Sequence, residues 1–88
     1  MILNDISADA LDIDFGELIF ENITCQNILN DCLDVSGGIV SGKYLRTIDV
    51  KDKGLSFGEN SIGYIDNTNF INNKLAVAVK DGSELHLS

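Results

Sequence analysis

Proline and tryptophan are absent from the 88-residue chain, and alanine, the best helix former, occurs only four times. No stretch approaches the ~18 consecutive apolar residues that a membrane-spanning helix needs. Isoleucine, leucine and valine together supply 26 residues, a balance that favours pleated strands over helices. Nine asparagines and eight glycines separate short apolar alternations, as turns between brief strands require. The sequence therefore predicts a single all-β domain over residues 1–88 without a membrane span.

Positive charge is missing from the first half of the chain. Residues 1–42 contain eight acidic groups and no lysine or arginine, whereas residues 43–88 contain six groups of each sign. An acidic surface of this kind repels a phosphate backbone. We therefore expect no nucleic-acid partner, and we expect the acidic residues 1–42 to favour cations as ligands.

Cysteine is also scarce, with Cys25 and Cys32 as the only two. Two cysteines are too few to indicate a disulfide framework, and no metal-ligand spacing of cysteine and histidine surrounds them. We expect both to be buried as small apolar side chains.

One pattern of residues returns four times along the chain, each time as a polar corner followed by alternating apolar residues. Aligning Phe15, Val35, Phe57 and Val79 gives steps of 20, 22 and 22 residues. A repeat of this length without room for a helix is typical of a solenoid whose coils pair with one another ~4.8 Å apart. The repeat predicts about three and a half to four coils of 20–25 residues.

The repeated phrases also carry a family resemblance. The segments Asn-Asp-Cys-Leu-Asp-Val-Ser-Gly at 30–37, Asp-Lys-Gly-Leu-Ser-Phe-Gly-Glu-Asn-Ser at 52–61 and Ala-Val-Lys-Asp-Gly-Ser at 78–83 resemble the right-handed parallel β-helix proteins of the pectate-lyase-like superfamily. The resemblance implies a right-handed parallel β-helix, and it suggests a bacterial surface or secreted protein in an extracellular or cell-surface location. It also suggests that the chain is a segment of a longer solenoid.

Alternation within the first strand of each coil predicts which side chains face the core. The residues expected to point inward are Leu11, Ile13, Phe15, Leu33, Val35, Leu55, Phe57, Leu75, Val77 and Val79. Residues of the opposite parity are expected to form ladders on the outer surface. At the corner before this strand we expect a column of Asp9, Asp31, Asp52 and Asn73. Such side chains accept hydrogen bonds from turn amides, so we assign this column a structural role, as we do Asn22 and Asn67.

An acidic stripe is expected where Asp12, Asp14 and Asp34 point outward from neighbouring strands. Stacking would place Asp12 opposite Asp34, where like charges are destabilising. Two interpretations stay open for the stripe. It is either a site for a hard cation such as Ca²⁺, which prefers carboxylate oxygens, or a solvated face on which one carboxyl pKa is raised by its neighbour.

A basic and aromatic cluster of Lys43, Tyr44 and Arg46 follows three glycines, Gly37, Gly38 and Gly42. The glycine spacing does not match a phosphate-binding loop, so we interpret the glycines as corner residues. The cluster is the candidate ligand site, for a sugar or an acidic partner, although a solvated corner is the alternative.

Catalytic residues are not brought together by the repeat. Related enzymes of the superfamily, such as pectate lyases, polygalacturonases and mannuronan epimerases, pair carboxylates with a basic residue or a histidine. The only arginine, Arg46, and the only histidine, His86, both fall away from the acidic stripe, so we expect no intact active site.

Three functions therefore stay open. The first is a structural or ligand-displaying segment that contacts polysaccharide. The second is a fragment of a carbohydrate-active lyase or epimerase, and the third is an acidic protein-interaction module. Because a solenoid with uncovered ends exposes apolar core and strand edges, we also expect end-to-end self-association or continuation in a longer chain.

Overall fold

The computed structural model describes residues 1–88 and contains strands but no helix. The seven strands are β1 (Ile2–Ile6), β2 (Leu11–Asp14), β3 (Glu17–Ile28), β4 (Leu33–Ser36), β5 (Ile39–Gly58), β6 (Ile62–Val79) and β7 (Glu84–Leu87). Every strand pairing is parallel and joins residues 22 or 23 positions apart. The chain is a parallel β-solenoid of about four turns, which confirms the predicted fold class.

Three faces surround the core, because the long strands β3, β5 and β6 bend around corners. Face A contains residues 11–14, 33–36, 55–58 and 77–79 on successive coils. Face B contains residues 17–20, 39–42, 62–65 and 84–87. Face C contains residues 2–6, 24–28, 46–50 and 69–73. Each face therefore has four rungs, and side chains at equivalent positions stack along the solenoid axis.

The core is a stack of apolar side chains from all three faces. Face A contributes Leu33, Val35, Leu55 and Phe57, all fully buried as predicted. Leu11, Ile13 and Val77 of the outer coils are partly buried and pack against this cluster. At about 1.5–3 kcal/mol for each large apolar side chain, burial along these columns is the main source of stability.

Phe15 does not point into the core, so its predicted position was wrong. It is 78% exposed and has a φ of 55°, because β2 ends one residue earlier and Phe15 begins the next corner. The register pairs Ile13, not Phe15, with Val35. The corresponding corner positions on later coils, Gly37 and Asp81 among them, also have positive φ.

Two residues of the last coil are also more exposed than the inward prediction requires. Leu75 is 48% exposed and pairs with Lys53, so it lies at the corner before face A. Val79 has the inward register opposite Phe57 but is 43% exposed, because a coil covers it on one side only.

The two cysteines form a disulfide, which corrects the expectation of two separate thiols. The expected burial is confirmed, since Cys25 and Cys32 both have no exposed surface. Their Cα atoms lie 5.9 Å apart, although seven positions separate them in the chain. Cys25 lies on face C and Cys32 immediately precedes face A, so the bond closes the corner between them.

The end of face C, next to that corner, carries a ladder of side chains on the outside of the solenoid, which we call the Asx ladder. Its members all have positive φ, and they are Asp5, Asn27, Asp49 and Asn72. The Nδ2 atom of Asn27 donates to Oδ1 of Asp5 at 2.6 Å, and that of Asn72 donates to Oδ1 of Asp49 at 2.7 Å. Alternation of acid and amide thus avoids like charges on adjacent rungs.

Of the three glycines expected at a corner, only Gly37 has a positive φ, of 65°. Gly42 instead lies within β5, where a Cβ atom would overlap the Phe20 ring. Gly63 on the next coil leaves room for the Phe57 ring in the same way. These two glycines therefore serve to accommodate aromatic side chains in the core.

Candidate functional site

The acidic stripe predicted for face A contains one pair of opposed carboxylates and one carboxylate without an acidic residue opposite it. Asp12 pairs directly with Asp34 across adjacent rungs, whereas Asp14 pairs with Ser36. Asp12 and Asp14 are exposed, and Asp34 is half-buried. The like-charged pair inferred from the repeat is therefore present, with Asp12 and Asp34 at directly opposite positions on adjacent rungs.

The tightest group of carboxylates is a different one. Oxygens of Asp9, Asp31 and Asp34 all lie within 4.8 Å of one another, and we call these three residues the carboxylate cluster. Asp9 and Asp31 enter it from the corner before face A, while Asp34 points outward from β4. The alternation of residues along a strand does not predict that these three carboxylates meet, because Asp9 and Asp31 lie at a corner, outside the alternating segment.

Backbone amides hold two members of the cluster in place. Oδ1 of Asp9 accepts a hydrogen bond from the Asp31 amide at 2.9 Å, and Oδ1 of Asp31 accepts one from the Lys53 amide at 3.0 Å. The structural role predicted for Asp9 and Asp31 is thus confirmed. Their column continues through Lys53 and Leu75, not through Asp52 and Asn73, because each step of the column from Asp31 onwards spans 22 residues.

Burial and mutual repulsion alter the acidity of this cluster. Burial, followed by the charge of Asp9 and a hydrogen bond with it, raises the pKa of Asp34 to about 6. Burial also raises the pKa of Asp31. The charge of Asp31 in turn raises the pKa of Lys53. The cluster therefore holds a proton more readily than isolated aspartates would, with a lysine at its edge.

The carboxylate cluster opens into a polar groove of about 280 Å³ along face A. Lys53 and Lys80 line this groove together with carboxylates, serines and a glycine, and no apolar side chain reaches it. Neither Arg46 nor His86 lines the groove. His86 instead stacks on Tyr64 on face B, with ring centroids 4.8 Å apart.

Replacing Asp34 with asparagine should remove a pH dependence of stability. The folded-state pKa of about 6 exceeds the ordinary value of 3.8, so the protonated form stabilises the fold below pH 3.8 and this stabilisation is lost as pH rises through 6. Solvent contact reduces the full effect of about 3 kcal/mol to about 1 kcal/mol. Thermal melts of Asp34→Asn at pH 5 and pH 8 should differ less than those of the wild type.

Asp14→Asn is the matched control for this experiment, because Asp14 lies on the same face without belonging to the cluster. It should keep the wild-type difference between the two pH values. Equal pH responses in Asp34→Asn and the wild type would contradict the assignment of the pH-dependent stability to Asp34.

The wild type and Asp34→Asn also test the predicted calcium site, since Ca²⁺ bound by Asp34 should raise the melting temperature of the wild type more than that of Asp34→Asn.

The second predicted site, around residues 43–46, is divided between two surfaces. Tyr44 and Arg46 line a groove of about 260 Å³ on the outside of the corner where face B meets face C, which we call the face C groove. Lys43 does not line it, and its Nζ lies 3.5 Å from a carboxylate oxygen of Glu21. The Lys43 carbonyl accepts a hydrogen bond from Nδ2 of Asn67 at 3.2 Å.

This face C groove is built from three successive coils. The parallel register aligns Asn22, Tyr44 and Asn67 in one column. A second column contains Thr24, Arg46 and Asn69. The contribution of Asn22, Thr24 and Asn69 was missed from the sequence, because it depends on a strand register of 22 residues at one step and 23 at the next. The groove combines an aromatic ring, a guanidinium and several amides along the solenoid axis.

Comparisons with protein-family models, curated proteins and solved structures gave no match. The structure has no helix that is both long and apolar enough to cross a membrane.

Proposed function

We propose that this chain is a ligand-displaying β-solenoid segment that contacts a polysaccharide through the face C groove. The observation that supports this proposal is the alignment of outward polar and aromatic side chains from three coils into one groove of about 260 Å³. A repeating ligand suits a repeating surface, because equivalent side chains recur every ~4.8 Å along the axis.

The side chains of the groove have the chemistry that sugars require. Tyr44 is 52% exposed, so its ring is available to pack against the apolar face of a sugar. Arg46 supplies several donors in a fixed plane, and the asparagine amides supply both donors and acceptors for hydroxyl groups.

A surface or secreted location is part of the proposal. The buried Cys25–Cys32 disulfide favours an oxidising compartment, because intracellular thiols are kept reduced.

Membership in the pectate-lyase-like superfamily is likewise proposed, with the parallel β-solenoid as its support. A lyase or epimerase fragment and an acidic interaction module stay predictions from the sequence. For the two ends of the solenoid we propose self-association, with continuation in a longer chain as the alternative.

A glycan array followed by affinity electrophoresis tests the polysaccharide contact. Tyr44→Ala and Arg46→Gln should each weaken retardation by a retained polysaccharide about 10-fold, because each removes a central contact in the groove. Tyr64→Ala is the matched control, since Tyr64 is also 52% exposed but lies on face B. No bound glycan, or equal losses in all three variants, would contradict the proposal.

A further inference from the structure

We infer that copies of this chain stack head to tail, with the last coil of one copy pairing in parallel with the first coil of the next. The inference rests on the end-to-end association proposed above and adds its partner and register. The docking surface on one copy is the last edge, formed by residues 69–73, 77–80 and 84–87. Its complement on the next copy is the first edge, formed by residues 2–6, 11–14 and 17–20.

Continuing the internal register by one more coil brings apolar positions of the two edges together. The positions that would meet, last edge named first, are Phe70 with Leu3, Val77 with Leu11, Val79 with Ile13, Leu85 with Leu18 and Leu87 with Phe20. Several of these side chains are only partly covered, including Val79 at 43% and Leu87 at 39% exposure. Stacking would bury them as the inner coils bury their equivalents.

On face A, charge on the outer surface is complementary in the same register. The first edge carries Asp12 and Asp14 without a nearby cation from its own coil, and Lys80 of the last edge would lie opposite Asp14. On the Asx ladder, Asn72 would lie opposite Asp5 and continue the alternation of acid and amide. The opposing contribution is Glu84, which would face Glu17.

The backbone also favours a second copy over an unrelated partner. Each edge presents strands on all three faces, and within residues 1–88 the outer side of each of these strands has no partner strand. The first edge of another copy has the same three-faced outline and the same strand direction as the last edge that it would meet. Because the contact joins two different surfaces by stacking along one axis, it does not close into a ring, and the expected assembly is an open filament.

Cross-linking tests the register directly. Asp12 and Ala78 both lie on face A, three rungs apart within one copy but adjacent across the proposed contact. Within one copy they are about 14 Å apart, too far for a disulfide, whereas adjacent rungs lie ~4.8 Å apart. The native chain has no free thiol. The double variant Asp12→Cys/Ala78→Cys should therefore form a ladder of covalent oligomers under mild oxidation.

The matched control is Asp12→Cys/His86→Cys, whose two positions lie on different faces. It should give no ladder. Light scattering of the wild type over a concentration series should show growing mass, with Lys80→Glu lowering it and Lys80→Glu/Asp14→Lys restoring it. A monomer at every concentration would overturn both the association and its register. Association with no ladder from the Asp12→Cys/Ala78→Cys variant would overturn the register alone, and neither result bears on glycan binding.

Discussion

Leu33→Asp should abolish cooperative folding. Leu33 has no exposed surface and pairs with Leu11 on one side and Leu55 on the other, in the middle of the face A column. A carboxylate there would be buried without a partner, at a cost of about 4 kcal/mol or more. Loss of the buried leucine side chain adds about 2–5 kcal/mol, and the sum is comparable with the total stability of about 4–13 kcal/mol expected for 88 residues. The variant should therefore lose its thermal transition in circular dichroism.

Leu29→Asp is the control for this loss, because it makes the same chemical change at a leucine that is 51% exposed. It should retain a cooperative melt close to that of the wild type. A soluble Leu33→Asp protein with a sharp transition would show that the assigned core is wrong.

Removing the disulfide should produce the second largest effect. The double variant Cys25→Ala/Cys32→Ala frees a short loop at a corner that contributes two fully buried side chains to the core. Loss of a cross-link of this loop length costs about 2–3 kcal/mol, and each kcal/mol corresponds to about 4–8 °C in a domain of this size. The melting temperature should therefore fall by roughly 10–20 °C.

Reduction provides the control for the disulfide. A reductant should lower the melting temperature of the wild type towards that of the double variant and leave the variant unchanged. Two free thiols, found by mass spectrometry in protein prepared under oxidising conditions, would contradict the bond.

The sequence predicts the fold well because the repeat is long and its apolar positions alternate. Leu33, Val35, Leu55 and Phe57 are all fully buried as that alternation requires. Phe15 was misplaced because its hydrophobicity suggested a core position, whereas the strand ends at Asp14 and leaves Phe15 at a corner. Hydrophobicity alone does not reveal where a strand ends.

The sites were harder to predict, because they depend on register and on corner geometry. The polar side chains of Asp52 and Asn73 suggested that they continue the corner column, whereas steps of 22 residues from Asp31 lead to Lys53 and Leu75. The disulfide depends on the corner bringing Cys25 close to Cys32. The carboxylate cluster likewise depends on side chains that reach across a bend.

The constant separation of 22 or 23 residues between paired strands has a consequence for folding kinetics. Each coil must close a loop of the same size, with a length-dependent entropy cost of about 3 kcal/mol, before its strands gain any partner. The first closure lacks a template, whereas later coils add to an edge that already exists. Folding should therefore nucleate once and then propagate along the axis, as expected for a solenoid in which each coil contacts only the coils next to it.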